Sequence, residues 1–256
     1  MITVDFLGIG AQKCGTTWLH RQMSRHPQIA FPRRKELHYW DNSPDPDANT
    51  WVASLQPAGR TAPDGRRVVT GEITPAYAIL SPQHIRAIRE RCPDIRLFLS
   101  LRNPIERAWS AALMALARSE ITLAEASDQW FLDHFRSAAS RSRGDYAACL
   151  ERWWSAFPRD QLLVLYMEDI AAKPDLVLQG LAQHLTVDES DFTNLPNSSL
   201  RETVRPRMPP SLPFVTPPPI RPSLVAPLMD MYADGIDRLA RLIDRDVSHW
   251  RTPPVL

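Results

Sequence analysis

The residues from Gly10 to Trp18, with the sequence GAQKCGTTW, carry the clearest chemical signal in this chain. They follow an apolar run, Ile2 to Ile9, that predicts a buried strand, and they lead into an amphipathic segment that predicts a helix. A glycine-containing turn between a strand and a helix forms a phosphate cradle, because backbone N–H groups converge there and the helix dipole favours an anion. The sequence therefore predicts an anion site in this loop.

The position of the loop lysine separates this cradle from those of nucleotide triphosphatases. The glycines keep the spacing of a Walker A loop, but Thr16 follows Gly15 where a triphosphatase carries lysine. The cation of this chain, Lys13, lies inside the loop instead. This difference argues against ATP or GTP hydrolysis and favours another phosphate-bearing donor.

A second candidate anion site follows the apolar strand predicted from Ile95 to Leu101. Arg102 ends that strand, and Ser110 lies two turns into the helix that begins near Pro104. P-loop NTPases commonly carry an aspartate that helps to hold Mg²⁺ at the end of a neighbouring strand. A guanidinium there would repel a metal and bind a second phosphate in bidentate geometry. The alternative is that Arg102 caps a helix or makes a surface ion pair.

The segment KELHYWD, from Lys35 to Asp41, contains groups that can accept a proton. An alcohol or amine must lose a proton as it attacks, and a carboxylate or imidazole within hydrogen-bond reach can take it. Glu36 and His38 share one face if the segment is extended, because side chains alternate along a strand. The alternative for His38 is a structural histidine.

Alternating strand and helix patterns predict how these residues are positioned. Strands are predicted at 2–9, 67–74, 95–101 and 161–166, and helices at 18–25, 82–92, 104–117, 123–141, 146–157, 176–184 and 228–244. Strands separated by helical crossovers predict an α/β fold with a parallel sheet covered on both faces. A chain of 256 residues suits a single domain.

The bulk composition excludes several classes of function. Lys and Arg number 30 against 29 Asp and Glu, so no overall charge favours nucleic acid or anionic lipid. No apolar run approaches the roughly 18 residues that span a bilayer, and the N-terminus does not resemble a signal peptide. The three cysteines are far apart and show no metal-ligand spacing, which predicts free thiols in a reducing cytoplasm.

Residues 194–227 are dense in proline and contain Arg201, Arg205, Arg207 and Arg221. So many prolines exclude helix and sheet interiors. Two interpretations remain open, a surface loop or a basic lid over a nucleotide, because long loops without secondary structure are often functional.

Together, the loop and the strand end resemble the sulfotransferase family, which uses 3′-phosphoadenosine 5′-phosphosulfate (PAPS) as sulfuryl donor. The segment from Gln12 to Leu19 resembles the family's 5′-phosphosulfate loop, K-x-G-T-T-x-L. The segment from Arg102 to Ser110 resembles its 3′-phosphate motif, R-x-P with a serine eight residues after the arginine. Segments 144–153, 166–169 and 228–250 are also similar, the last to bacterial members, so the resemblance covers nearly the whole chain.

The resemblance implies a three-layer, P-loop-NTPase-like fold. It also implies a donor site within that fold. The 5′-phosphate is implied to be held by Lys13, Cys14, Gly15, Thr16 and Thr17. The 3′-phosphate is implied to be held by Arg102 and Ser110. Trp18 is expected to stack on adenine, with core packing as the alternative, and Tyr146 to lie near adenine or in the core. Arg201 and Arg205 are expected to bind the donor if the Pro-rich segment is a lid.

The resemblance also implies an acceptor site. The segment Lys35–Asp41 is similar to the E-x-H-F-F-D element of glycosaminoglycan sulfotransferases, where the glutamate is the general base. Glu36 is therefore the expected base, with His38 and Asp41 assisting or lining the acceptor pocket. The cytosolic branch of the family uses a histidine as base, so Glu36 and His38 remain the two candidates. Lys13 is the expected catalytic cation.

Residues Gly71 to Tyr77 resemble the family's E-K-S/T-P-A-Y element, with Ile73 in place of the lysine. That departure argues against a highly sulfated polysaccharide acceptor. Glu72 is expected at a strand end that faces the ligand crevice, where it contacts the acceptor or pairs with a neighbouring Arg or Lys. Tyr77 is expected to line the same site.

The sequence thus predicts a single α/β domain over residues 1–256 that transfers a sulfuryl group from PAPS, in line and without an essential metal. The expected acceptor is a hydroxyl or amine of a carbohydrate or a glycosylated or small metabolite. Two alternatives are a P-loop kinase or NTPase that needs Mg²⁺, and a nucleotide-binding scaffold without catalytic activity.

Overall fold

A computed structural model describes residues 4–55, 61–62, 64–193 and 218–252. Its strands are β1 (Phe6–Gly10), β2 (Ile29–Ala30), β3 (Val69–Ile73), β4 (Arg96–Leu101) and β5 (Leu162–Tyr166). The strands form one sheet in the order β2-β3-β1-β4-β5, and every neighbouring pair is parallel. The predicted α/β class with a parallel sheet is confirmed.

Helices follow the strands in alternation along much of the chain. They are α1 (Thr16–Met23), α2 (Tyr39–Asn42), α3 (Ala48–Ser54), α4 (Pro82–Arg91), α5 (Pro104–Arg118), α6 (Asp128–Arg136), α7 (Ala138–Gly144), α8 (Tyr146–Trp154), α9 (Met167–Ala172), α10 (Pro174–Leu185), α11 (Ser190–Thr193) and α12 (Pro222–Leu242). Short 3₁₀ helices occupy Pro75–Ile79, Arg159–Gln161 and Ser248–Arg251.

Packing divides the chain into two compact units. The first comprises Met1–Leu101 and Glu151–Val204 and contains the sheet. The second comprises Arg102–Leu150 and Arg205–Leu256, and its described part is helical. The expectation of a single domain over residues 1–256 stays a prediction.

The core of the first unit is built on the central strands of the sheet. All of β1 is buried, which explains its continuous apolar sequence, because a strand covered on both faces does not alternate. One hydrophobic cluster joins the sheet to α1, α9 and α10 through buried side chains that include Phe6, Leu19, Phe98, Ile170 and Leu181. Because the strands are parallel, their carboxyl ends share one edge, where ligands of open α/β sheets bind.

The predicted helix over 123–141 is wrong as a single element. The structure has two helices there, α6 and α7, which meet at Ser137. The backbone of Ser137 leaves the helical region (φ −56°, ψ 142°), and its hydroxyl accepts the N–H of Ser140 at 3.2 Å. A serine that caps a new helix competes with continuation of the preceding helix. The spacing of apolar residues does not reveal such a cap.

The final helix also differs from its predicted bounds, since it begins at Pro222 rather than at Leu228. Pro222 occupies the first turn, where a missing N–H costs nothing, and Pro227 lies inside the helix. Within the described ranges, we find no helix with the length and apolar character needed to cross a bilayer. The three cysteines are buried free thiols.

Candidate active site

The phosphate loop connects β1 to α1 and is shaped by glycine. Gly15 has φ +81°, and a Cβ there would lie 2.5 Å from the Met167 sulfur, so another residue would be both strained and crowded. Gly15 is the N-cap of α1, no side chain caps the helix, and its first turn holds no acidic residue. The first N–H groups of a helix have no partner within the helix itself, so a helix start of this kind can bind the oxygens of an anion. This geometry fits the phosphate of a donor such as PAPS.

The loop is anchored to the neighbouring strand β4 by Ser100. The Ala11 N–H donates to the Ser100 carbonyl at 2.9 Å, and the Ser100 hydroxyl donates to the Cys14 carbonyl at 2.6 Å. Ser100 is completely buried. The sequence reasoning missed this residue, although a lone hydroxyl within the apolar strand RLFLSL was a usable signal. Ser100 thus fixes the phosphate loop to β4.

The loop side chains lie in different environments. Cys14 and Thr16 are buried, Thr17 is exposed, and Lys13 is half-buried with a left-handed backbone at φ 69°. Trp18 is 5% exposed and belongs to the hydrophobic cluster on the sheet, which matches the core-packing alternative. Its stacking on adenine and the phosphate contacts of the other four side chains stay predictions.

The segment from Lys35 to Asp41 brings the candidate base residues into contact. Nε2 of His38 lies 3.0 Å from Oε2 of Glu36, and Nδ1 of His38 lies 2.8 Å from Oδ2 of Asp41. Nζ of Lys35 lies 3.4 Å from the other oxygen of Glu36. The carboxylate of Glu36 is 30% exposed and the imidazole 36%, so both are accessible to an acceptor. We call Glu36, His38 and Asp41 the base set.

The backbone of this segment does not meet the condition of an extended strand on which the shared face of Glu36 and His38 depended. Residues 31–38 lie outside any helix or strand, and His38 has a left-handed backbone (φ 55°, ψ 32°) just before α2. Glu36 and His38 meet through this turn rather than through alternation along a strand. The turn also brings Asp41, in the short helix α2, to the far side of the imidazole.

The base set can hold and move a proton. A neutral imidazole donates from only one nitrogen, whereas ionised carboxylates only accept. The contact of His38 with Asp41 is a hydrogen bond, and the contact of His38 with Glu36 lies within ion-pair distance. The three groups are therefore close enough to pass a proton between them. Nearby, burial lowers the pKa of Lys35, although Glu36 opposes the shift.

Glu72 lies at the end of β3 and is buried, with only 2% of its surface exposed. One oxygen accepts from Trp51 Nε1 at 2.7 Å and from the Tyr77 hydroxyl at 3.0 Å, and the other from the Thr74 hydroxyl at 2.7 Å. Burial raises the pKa of Glu72. The expected pairing of Glu72 with an Arg or Lys is wrong within the described chain, because neutral donors surround the carboxylate. Acceptor contact by Glu72 and Tyr77 stays a prediction.

Arg102 begins the second unit and makes an ion pair with Glu106. Its Nε lies 2.9 Å and its Nη2 2.8 Å from the same carboxylate oxygen, and the guanidinium is 24% exposed. This matches the alternative of a surface ion pair. Ser110 lies one further turn along α5, on the same helix face as Glu106. Binding of the 3′-phosphate by Arg102 and Ser110 stays a prediction.

Tyr146 fixes the backbone next to Arg102. Its hydroxyl donates to the Arg102 carbonyl at 2.9 Å, and its ring packs edge-on against Trp250 with centroids 6.3 Å apart. Only 3% of Tyr146 is exposed. The structure thus gives this residue a packing role, and a position near adenine stays a prediction.

Most of the Pro-rich segment, including Arg201, Arg205 and Arg207, lies outside the described residues. The expected roles of Arg201 and Arg205 therefore stay predictions. The remaining arginine of the segment, Arg221, pairs with Asp128 at 2.6 Å and donates to two backbone carbonyls before α6. Arg221 serves packing within the second unit.

The imidazole of His20 predicts a pH dependence of stability. His20 packs 4.3 Å from the Phe31 ring, and burial, with a smaller effect of Lys35, lowers the pKa of His20 to about 4. A depressed histidine pKa contributes stability above pH 6.5 that is lost as the pH falls towards 4. His20→Gln should remove part of this loss, changing the pH-dependent free energy of unfolding by about 1–3 kcal/mol.

Urea unfolding of wild type and His20→Gln at pH 7.5 and pH 4.5 measures this effect. The value at pH 7.5 serves as the reference for the intrinsic cost of the substitution. We expect the difference between the two proteins to shrink or reverse at pH 4.5. Equal differences at both pH values would contradict the prediction.

Comparisons with known proteins place the chain in a family. A family model described as sulfotransferase domain matches residues 4–203. The chain is 23% identical to carbohydrate sulfotransferase 15 of Mus musculus, over 96% of this chain and 54% of that protein. It is 29% identical to heparan sulfate glucosamine 3-O-sulfotransferase 6 of Mus musculus, over 65% of this chain and 47% of that protein. The chain therefore spans about half the length of the curated relatives it matches.

A solved structure agrees with the family match. The crystal structure of a sulfotransferase from Alicyclobacillus acidocaldarius superimposes with a TM-score of 0.71 at 25% identity, covering 98% of this chain and all of that chain. This similarity confirms the predicted sulfotransferase fold, and the family model covers well over half of the sequence. The chain belongs to the sulfotransferase domain family.

Proposed function

We propose that this chain transfers a sulfuryl group from PAPS to a hydroxyl or amine of a carbohydrate or small-metabolite acceptor. The observation that carries the proposal is that one compact unit holds both an uncapped phosphate loop and a carboxylate–imidazole set. The named relatives, a carbohydrate sulfotransferase and a heparan sulfate sulfotransferase, support a carbohydrate acceptor. Buried free thiols support a cytoplasmic location.

The donor is held by charge and by backbone donors. PAPS supplies an activated sulfuryl group whose transfer leaves negative charge on the 5′-phosphate. Lys13 and the first N–H groups of α1 bind this phosphate and stabilise the growing charge, which is usually the largest catalytic contribution. Arg102 and Ser110 bind the 3′-phosphate, and Arg102 exchanges its Glu106 partner for that phosphate.

The base set prepares the acceptor. Glu36 accepts the proton of the attacking hydroxyl or amine. His38, oriented by Asp41, holds the Glu36 carboxylate in place and can receive the proton from it. His38 itself is the alternative base, since its imidazole is as exposed as the Glu36 carboxylate.

Donor-dependent transfer tests this proposal. The purified chain is incubated with ³⁵S-labelled PAPS and a panel of mono- and oligosaccharides and small alcohols and amines, with and without EDTA. We expect labelled acceptor and release of the desulfated product, 3′-phosphoadenosine 5′-phosphate (PAP), at equal rates in both conditions. Chelator-sensitive ATP turnover would instead indicate the kinase alternative. Tight PAP binding without transfer to any acceptor would indicate the scaffold.

A further inference from the structure

Glu72 is a buried carboxylate held by neutral groups. Three donors hydrogen-bond to it, namely the Trp51 indole and the hydroxyls of Thr74 and Tyr77, and the backbone N–H of Leu37 faces it. No lysine or arginine among the described residues pairs with it. Burial of a charge without a counter-charge is costly.

The bonds from Glu72 and Tyr77 lead to the segment that carries the base set. The backbone N–H of Leu37 faces Glu72 and favours its ionised form. The Tyr77 hydroxyl donates to Glu72 and accepts the N–H groups of Tyr39 at 3.0 Å and Trp40 at 3.4 Å. Burial beside Glu72 raises the pKa of Tyr77, so the phenol keeps its proton and remains a donor to the carboxylate.

These contacts lie on both sides of His38. Leu37 precedes it, and Tyr39 and Trp40 are the first residues of α2. The first N–H groups of a helix have no partner within the helix, and His38, the N-cap of α2, provides no side-chain bond to them. The Tyr77 hydroxyl takes over that role. It therefore holds the start of α2, which is the helix that carries Asp41.

The conformation of His38 needs such support. Its φ of 55° lies in the left-handed region, which is unfavourable for a residue with a Cβ. The imidazole reaches both Glu36 and Asp41 only through this turn. The bonds to Tyr39 and Trp40, together with the approach of Leu37 to Glu72, hold the backbone around it.

Aromatic rings exclude water from this network. Trp40 and Trp51 are fully buried and pack edge to face with centroids 5.4 Å apart. Tyr77 is also fully buried. Hydrogen bonds in such a dry environment are stronger and more directional than in water, so the network is suited to fix a backbone.

We propose that Glu72 and Tyr77 are positioning residues that hold the turn at His38 and thereby orient the base set for proton transfer. This inference rests on the proposed function, because it takes Glu36 or His38 as the base. It assigns Glu72 and Tyr77 a role through the backbone of residues 37–40 rather than through contact with the acceptor.

Tyr77→Phe tests the proposal with the smallest change of volume. We expect kcat to fall about 10–100-fold, as for loss of an oriented proton-transfer group. PAP affinity by calorimetry and the KM for PAPS should stay within about twofold of wild type, and the acid limb of the kcat–pH profile should move by about half a unit or more. Tyr232→Phe is the matched control, because the Tyr232 hydroxyl is a buried partner of Arg107 in the second unit. The control should keep the wild-type kcat and pH profile.

A second variant separates positioning from simple loss of structure. Thr74→Val is nearly isosteric and removes one donor to Glu72 without touching residues 37–40. We expect a smaller fall in kcat than for Tyr77→Phe, with the same direction of change in the pH profile. If Tyr77→Phe loses PAP binding, which would indicate a loss of its fold, Thr74→Val is the variant that tests the positioning role.

The outcomes separate this inference from the proposed function. Wild-type kcat and pH profiles in Tyr77→Phe and Thr74→Val, with Glu36→Gln or His38→Gln inactive, would overturn the positioning role and leave the function intact. A lower melting temperature with unchanged kcat would overturn it as well. Absence of PAPS-dependent transfer in the wild type would reject the function itself.

Discussion

Glu36→Gln is expected to lower sulfuryl transfer by about 10²–10⁴-fold, the usual contribution of a positioned general base. The amide keeps the size of the side chain but cannot accept the acceptor's proton. PAP affinity should be unchanged, because Glu36 is not among the residues proposed to hold the donor. Initial rates with saturating PAPS, together with calorimetric titration of PAP, measure both effects.

Glu90→Gln is the matched control, since Glu90 is exposed on α4 and its substitution removes the same charge. It should transfer at the wild-type rate. His38→Gln distinguishes the two candidate bases. If His38 is the base, we expect His38→Gln to lower the transfer rate by about 10²–10⁴-fold and Glu36→Gln to lower it by only about tenfold or less. Near-wild-type rates in both variants would reject the base set.

The second large effect is expected from Arg102→Met, which should weaken PAP binding by about 10–100-fold, as for loss of a hydrogen-bonded charge contact. Affinity for 5′-AMP, which lacks the 3′-phosphate, should stay close to wild type. The variant should therefore lose discrimination between the two nucleotides. Titration of both nucleotides into each protein measures the discrimination ratio.

Glu106 provides a further arm of this experiment. Its carboxylate occupies the Arg102 guanidinium and competes with an incoming phosphate. Glu106→Gln should therefore strengthen PAP binding a few-fold, within the roughly 0–1 kcal/mol that exposed ion pairs contribute. Arg86→Met, at an exposed position on α4, is the control for loss of a positive charge. Equal losses of PAP and 5′-AMP affinity in Arg102→Met would show that Arg102 serves structure alone.

Local sequence patterns were sufficient for the frame of the site. The apolar runs became β1, β3, β4 and β5, and glycine and lysine spacing identified the loop before α1. Both signals are local, because a buried strand needs a continuous apolar run and a tight turn needs glycine at a left-handed position. The candidate base residues were named from the resemblance of Lys35–Asp41 to the E-x-H-F-F-D element.

Helix boundaries were predicted less well where capping competed with periodicity. The split between α6 and α7 depends on Ser137, whose hydroxyl bonds to a backbone N–H three residues on. Buried positions recur every four or five residues across this joint, at Phe131, Phe135, Ser140 and Gly144, because both helices bury one face. A cap changes the backbone direction without changing that pattern.

The amino-acid sequence by itself determined the parallel α/β frame and the phosphate loop, because both depend on spacing along the chain, and its resemblance to a family motif named Glu36, His38 and Asp41 as candidates. Only the tertiary structure decided how these three side chains meet and that Glu72 is buried among neutral donors. The Glu72 carboxylate is bonded by Trp51, Thr74 and Tyr77, and the Tyr77 hydroxyl also accepts the N–H groups of Tyr39 and Trp40. Contacts between segments that are distant in sequence produce no regular spacing of residues along the chain. Only the folded structure therefore reveals them.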